Sequence, residues 1–309
     1  MLASRTTTSG ATKILVTGVG GPAGRSLGAQ LAALGNNELV GVDVTAVDDP
    51  HFPTTEIVPR ADDLDYARAM REVIERHAPD LVIPTVQDEL PQLAVLAELL
   101  GVRQPADGRH RSAVVVSSPH AAAVTADKYL TMWALDAAGV PVPRFVAATE
   151  IASTEAALAW GGGPVVVKPR LSRGGRGVRL VEQVEDLEWS EIGSGAIVQE
   201  FAPGTEYSPQ LYVTAAGEVT VVVLEKTELK QGRVGNASEA VRVPDGAAAD
   251  VAEVATATVR ALGLAGPIDM DVRLDSGGRP VVLEVNSRFG ASSALAPELV
   301  EAVLHEWLP

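Results

Sequence analysis

The stretch RPVVLEVNSRFG, residues 279–290, sets a carboxylate at Glu284 and an amide at Asn286 near the end of an apolar run, Val281 to Val285. Side chains two apart on a strand share a face. The two groups therefore point the same way, with Arg288 next in line. A strand that runs out of a core into solvent would also end on polar residues, so the rest of the chain must decide what this face does. Asp271 lies thirteen residues before Glu284 on IDMDVRLD, and a turn between them would fold the two strands side by side. Two carboxylates and an amide are the hard oxygen ligands that Mg²⁺ takes together with phosphate oxygens. Arg288 would then meet a terminal phosphate or an anionic intermediate.

A second signal is VVVKPRLSRGGRGV, where Lys168 closes an apolar strand and the next strand begins at Val178. The loop between them carries Arg173, Gly174, Gly175, Arg176 and Gly177. Small residues let backbone N–H groups approach phosphate oxygens, and the cations neutralise them. Such a loop could close over a nucleotide; the alternative is a hairpin tip with solvated arginines. The helical phosphate loop G-x-x-x-x-G-K-[ST] is absent.

Other motifs carry less. Gly18, Gly20, Gly21 and Gly24 follow the first strand, and Asp43 comes nineteen residues after Gly24, a spacing that suits a dinucleotide. The same glycines also serve a tight turn, and no Tyr has a Lys four residues on, as a short-chain dehydrogenase would need. In GRSLG, Ser26 falls inside a helix rather than on the turn of a hydrolase elbow. The five histidines, at 51, 77, 110, 120 and 305, form no ligand spacing, and Asn236-Ala237-Ser238 is a sequon without a secretion signal. PTVQDELPQ offers Asp88 and Glu89 to an amine, or caps the helix that follows.

The elements that must hold these residues follow from periodicity. Strands KILVT, ELVGVDV and DLVIPT alternate with helical stretches PAGRSLGAQLAALG, YARAMREVIERH and LPQLAVLAELL, which argues for a parallel, doubly wound sheet. SAVVVSS supplies its last strand, and YLTMWALDAAG is a linking helix that Gly139, Pro141 and Pro143 terminate. Beyond it the chain is strand-rich, with hairpins expected around Ala216-Gly217 and Ser276-Gly277-Gly278. At 309 residues with 46% hydrophobic content and no long charge-free stretch, the chain reads as globular rather than membrane-spanning. Zero cysteines exclude disulfides, thiol nucleophiles and thiolate metal sites. A formal charge of −15 without a basic run argues against a nucleic-acid partner.

The order of these motifs resembles the ATP-grasp superfamily, in particular its branch like the carbamoyl-phosphate synthetase large chain. The likeness runs through ILVTGVGGPAG, IPTVQDEL, ADKYLT, VVVKPRLSRGGRGV, VQEFAPGTEYS and GPIDMDVRL…GRPVVLEVNSR, nearly the whole chain. The resemblance implies an α/β fold in which an N-terminal doubly wound parallel sheet precedes a two-lobed α+β ATP-grasp domain. The divisions expected are an arm over 1–12, the first domain over 13–118, a small lobe with the linking helix over 119–198, and a large lobe over 199–309. It also implies ATP, with Mg²⁺ or alternatively Mn²⁺. By position, Lys128 and Lys168 are the phosphate cations and Gly174 and Gly175 the covering loop. Glu200 and the Ala202 backbone lie at adenine, Glu206 at ribose, and Asp271, Glu284 and Asn286 at the metal. Arg288 and Lys168 are the catalytic cations. In this chain Ser287 stands where the family usually has Pro, and Asp271 where some relatives have Gln or Glu.

The implied activity is ATP-dependent, ADP-forming C–N ligation, in which a carboxylate is activated as an acyl phosphate and an amine displaces phosphate. Lys226, Lys230 and Arg233, on EKTELKQGRVGNASEAVRV, are candidates for a substrate carboxylate clamp, with a solvated hairpin as the alternative. The expected partners are small-molecule carboxylates and amines, with no membrane, a cytoplasmic location and possible homodimerisation. A nucleotide-binding regulatory protein without catalysis is the second reading, and a nicotinamide-dependent oxidoreductase the third.

Overall fold

The computed structural model describes residues 11–99, 113–172 and 174–308. The expected arm over 1–12 and loop residue Arg173 therefore lie largely or wholly outside the described residues, and Thr12 already belongs to the first strand.

The first sheet is built from β1 (Thr12–Thr17), β2 (Asn37–Asp43), β3 (Thr54–Ile57), β4 (Leu81–Ile83) and β5 (Ala113–Val114), in the order β3-β2-β1-β4-β5. Every pairing in it is parallel. Parallel strands need crossovers; α1 (Pro22–Leu34), α2 (Tyr66–His77) and α3 (Leu90–Leu99) provide three, and residues 44–53 join β2 to β3 without a helix. Alternation along β1 feeds two cores. Ile14 and Val16 pack with Leu27 and Leu31 of α1, whereas Leu15 packs with Met70 of α2 and Leu93 of α3. Both faces are buried, which is why these strands read as continuous apolar runs.

The glycines after β1 have a packing cause. A Cβ at Gly24 would stand 2.4 Å from the Gly18 carbonyl oxygen and 2.7 Å from the Val19 Cα. Gly18 itself has φ +63°, a region that disfavours a side chain.

Two helices then lead into the second half: α4 (Pro119–Ala126) and α5 (Lys128–Ala137). The sequence reading leaves 119–126 unassigned. It is helical, with Ser118 as N-cap accepting from the Ala121 N–H and Pro119 at the first position. The short, exposed edge strand β3 is likewise an addition to that reading.

The second sheet comprises β6 (Phe145–Ala147), β7 (Val165–Pro169), β8 (Arg179–Val181) and β9 (Ala196–Glu200), ordered β6-β9-β7-β8 and antiparallel, with α6 (Thr154–Gly161) against it. The third holds β10 (Glu206–Val213), β11 (Val219–Gln231), β12 (Val234–Arg242), β13 (Gly266–Leu274) and β14 (Pro280–Asn286), ordered β12-β11-β10-β13-β14. It too is antiparallel, with α7 (Ala249–Ala261) packed on it. Finally α8 (Glu298–Trp307) returns to the first domain, where Leu299, Val300 and Val303 join the core of Ile14, Val16 and Leu27.

Candidate active site between the two antiparallel sheets

The hairpin β13–β14 sets the register of the site. Asp271 stands directly opposite Glu284, and Asp269 opposite Asn286. Directly paired residues of antiparallel strands share a face, so four oxygen-bearing side chains form one polar wall. Facing them is β7, whose Lys168 is 5% exposed and donates from Nζ to the Leu283 carbonyl at 2.9 Å. Lys128, the first residue of α5, donates to the Ser172 carbonyl at 2.7 Å and lies 3.2 Å from Glu284 Oε1. Its helix is capped by Asp127, which accepts from the Tyr129 and Leu130 N–H groups and holds Arg170.

Electrostatics follow from this crowding. Burial pushes the Glu284 carboxyl up, but Lys128 and Lys168 outweigh it and hold the group below the usual carboxylate range. Burial drives Lys168 down to about 8, against the pull of Glu284. Burial raises Asp271 to about 7 in spite of Lys226, with Glu206, Asp269 and Glu284 adding to the rise. Burial works against the charge of Lys226 as well, yet Asp271 and Glu206 hold its pKa above the ordinary lysine value.

Two connected hollows border this wall. A narrow slot of about 60 Å³ runs between Lys168 and the β9–β10 connection, with Glu200, Phe201, Ala202 and Glu206 along its edge. An open cleft of about 600 Å³ extends from Gly174, Gly175, Asp271, Glu284, Asn286 and Arg288 to the glycine turn of the first domain. Gly175 borders both. Gly174 and Gly175 have φ +65° and +69°, so only a residue without Cβ takes that backbone at no strain.

The three residues considered for a substrate clamp part company. Lys230 and Lys226 both line the cleft. Lys226 is buried, 2.7 Å from Glu206 Oε1 and 2.6 Å from Asp271 Oδ1, so its ammonium belongs to the polar wall. Arg233 borders neither hollow; it pairs with Glu182 at 2.5 Å and lies over the Phe201 ring at 4.5 Å. Glu89 is the capping form of its two readings, buried and accepting from Tyr66 Oη at 2.8 Å, from the Val86 N–H at 3.2 Å and from Thr17 Oγ1. Asp43 accepts from the Gly20 N–H at 2.8 Å and the Val44 N–H at 2.7 Å, so the acid suited to a ribose is bonded to its own turn. Asp269 is the residue that the sequence reading misses. The signal was available, because it lies two before Asp271 and so on the same face.

The donors fit a divalent cation: carboxylates of Asp271 and Glu284 beside the amide of Asn286 are hard oxygen ligands. Asp271, Glu284 and Asp269 hold Lys226, Lys128 and Arg288 respectively. Among the described residues no three His, Cys, Asp or Glu side chains group as a ready-made metal cage.

A parallel-sheet domain followed by two antiparallel sheets, with lysines facing oxygen donors across the slot between them, defines a two-lobed nucleotide clamp. The chain belongs to the ATP-grasp family: the family model described as ATP-grasp domain matches residues 125–292. It is 31% identical over 59% of its length to a D-alanine–D-alanine ligase of Gloeobacter violaceus, covering 65% of that protein. With a D-alanine–D-alanine ligase of Desulforudis audaxviator it shares 30% identity over 80% of its length and 82% of the relative's. The solved N5-carboxyaminoimidazole synthetase of Staphylococcus aureus, complexed with ADP, superposes with a TM-score of 0.74 at 17% identity, over 97% of this chain and 78% of that one. The chain spans about half to two thirds of the length of the first curated relatives it matches. No helix among the described residues is long and apolar enough to cross a membrane.

Proposed function

We propose that this protein is an ATP-dependent carboxylate–amine ligase that joins small molecules through an amide or peptide bond, releasing ADP and phosphate. The observation that carries this reading is the placement of Lys128 and Lys168 at Glu284, opposite Asp271 and on the same wall as Arg288. Adenine occupies the slot beside Glu200 and the Ala202 backbone, and the ribose reaches Glu206. Lys128 and Lys168 meet the phosphates while the Gly174–Gly175 backbone covers them. Glu284, Asn286 and Asp271 are the residues that would hold a magnesium or manganese ion. Such an ion supplies charge neutralisation between phosphate oxygens.

The substrate carboxylate oxygen attacks the γ-phosphorus and the bond to the β-phosphate oxygen breaks, giving an acyl phosphate and ADP. The amine nitrogen then attacks the acyl carbon, phosphate leaves with the C–O electron pair, and the amine loses a proton. Arg288 and Lys168 stabilise the anionic charge of these steps by position, and no side-chain nucleophile is required. Of the two clamp candidates on the cleft wall, Lys226 is paired with Glu206 and Asp271, so Lys230 is the one assigned to the substrate carboxylate. Small-molecule partners, a cytoplasmic location and a homodimer complete the reading, the last checked by light scattering of the purified protein.

The test is ADP release from Mg-ATP with a panel of carboxylates, alone and with amines, followed by mass spectrometry of the product. Release dependent on one acid, and lost in Glu284→Ala that keeps the wild-type fold by circular dichroism, supports the reading. Full turnover by Glu284→Ala would remove the metal assignment.

A further inference from the structure

We infer that Asp269 is a positioning residue for Arg288, the cation that the ligase reading sets at the developing charge. The carboxylate lies at the edge of the cleft with both oxygens bonded. Its Oδ1 accepts from Ser208 Oγ at 3.0 Å and from Gln210 Nε2 at 2.6 Å, and its Oδ2 accepts from Arg288 Nη1 at 3.0 Å. Gln210 stands opposite Asp269 in the β10–β13 register and also donates to Ser208 Oγ at 3.0 Å. The three side chains therefore form a closed network. Behind them is Gly290, where a Cβ would meet the Asp269 carboxyl atoms at 2.5 to 2.7 Å.

Arg288 itself is thinly held. Nη1 is its one bonded nitrogen among the described residues, to Asp269 and to the Phe289 carbonyl at 3.0 Å, while Nε is buried without a partner. A long side chain anchored at one nitrogen takes its direction from that anchor. Oδ2 of Asp269 accepts from Arg288 while Oδ1 is held by Ser208 and Gln210, so the carboxylate fixes the direction of the guanidinium. A group displaced by about 1 Å loses on the order of 10²-fold in rate.

Two substitutions disturb the anchor differently. Asp269→Asn removes the negative charge that holds Nη1, and Gly290→Ala keeps the charge but pushes the carboxylate. Both lower kcat by about 10²-fold while ADP affinity, read by calorimetry, stays within about twofold. In an Arg288→Ala background Asp269→Asn adds less than about a further twofold, since residues acting as a unit are not additive. Multiplying losses, or a fall in melting temperature at unchanged kcat, overturns the assignment. The position of the guanidinium in crystals of Asp269→Asn decides independently of turnover. A displaced Arg288 supports the inference, and an Arg288 in its wild-type place ends it even if no acid substrate is ever accepted, an outcome that would count separately against the ligase reading.

Discussion

The glycine turn after β1 and the slot between the two antiparallel sheets draw on the same residue types, glycines and carboxylates, and use them in opposite ways. At the turn, Asp43 is bonded to two backbone N–H groups and Glu89 to a backbone N–H and two hydroxyls. These acids hold the chain to itself. At the slot, Asp271, Glu284 and Asp269 are each bonded to a Lys or Arg side chain that can exchange one anion for another. An acid satisfied by backbone marks architecture, and an acid satisfied by a cation at a cleft marks a place for a ligand.

The sharpest way to break that contrast is at Lys226. Lys226→Met leaves Glu206 and Asp271 as neighbouring buried carboxylates, and removal of one partner from such a group lowers stability by about 3–5 kcal/mol. Urea unfolding measures it, and a loss below about 1 kcal/mol would mean that Lys226 is not held as described. Next in size is Lys168→Met, which removes a charge-assisted contact of about 1.5–3 kcal/mol. ATP affinity measured by calorimetry then falls roughly 10- to 100-fold, and wild-type affinity would count against the phosphate role.

A third effect comes from protons. Lys168 is lowered by burial to about 8, so the free protein loses this charge as pH rises through that value. Nucleotide affinity falls above pH 8 by up to about tenfold per unit, and binding takes up protons. Calorimetry in buffers of different ionisation enthalpy detects the uptake, and Lys168→Arg abolishes it. Stability of the unliganded protein moves the other way, rising between about pH 8 and the ordinary lysine range near 10, because the unfolded chain binds the proton that the fold disfavours. The smallest effect belongs to the turn. Asp43→Ala costs about 1 kcal/mol of stability and leaves ATP affinity unchanged; a tenfold weaker affinity would erase the distinction between the two regions.

Much of this was legible before the structure, for identifiable reasons. Glu284 and Asn286 could be assigned to one face because a strand has a period of two, and the glycine-bearing turn between IDMDVRL and PVVLEVN dictated the pairing that sets Asp271 against Glu284. Lys226 was harder. Read as part of a charged hairpin it belongs outside, yet it continues the inward row of Val222 and Leu224 at steps of two. Helix α4 escaped because its alanines carry almost no amphipathic pattern, although the Ser118-Pro119 start was visible. The Arg233–Glu182 pair joins β12's approach to the second sheet, a contact between distant segments that no local pattern encodes.

The return of α8 to the first core has a consequence for how the molecule comes into being. Strand β1 and the last helix share one hydrophobic interior, with Phe289 and Val303 against Ile14 and Val16. A growing chain therefore cannot finish its first domain early. On one side of the parallel sheet α1 gives only part of the cover, the rest waits until nearly 300 residues have been joined, and contacts so distant in sequence form slowly. During synthesis the part of the Ile14, Val16 and Ile83 face that α1 does not cover is the surface that a chaperone would shield, and it closes only when the two nucleotide-gripping sheets have already emerged.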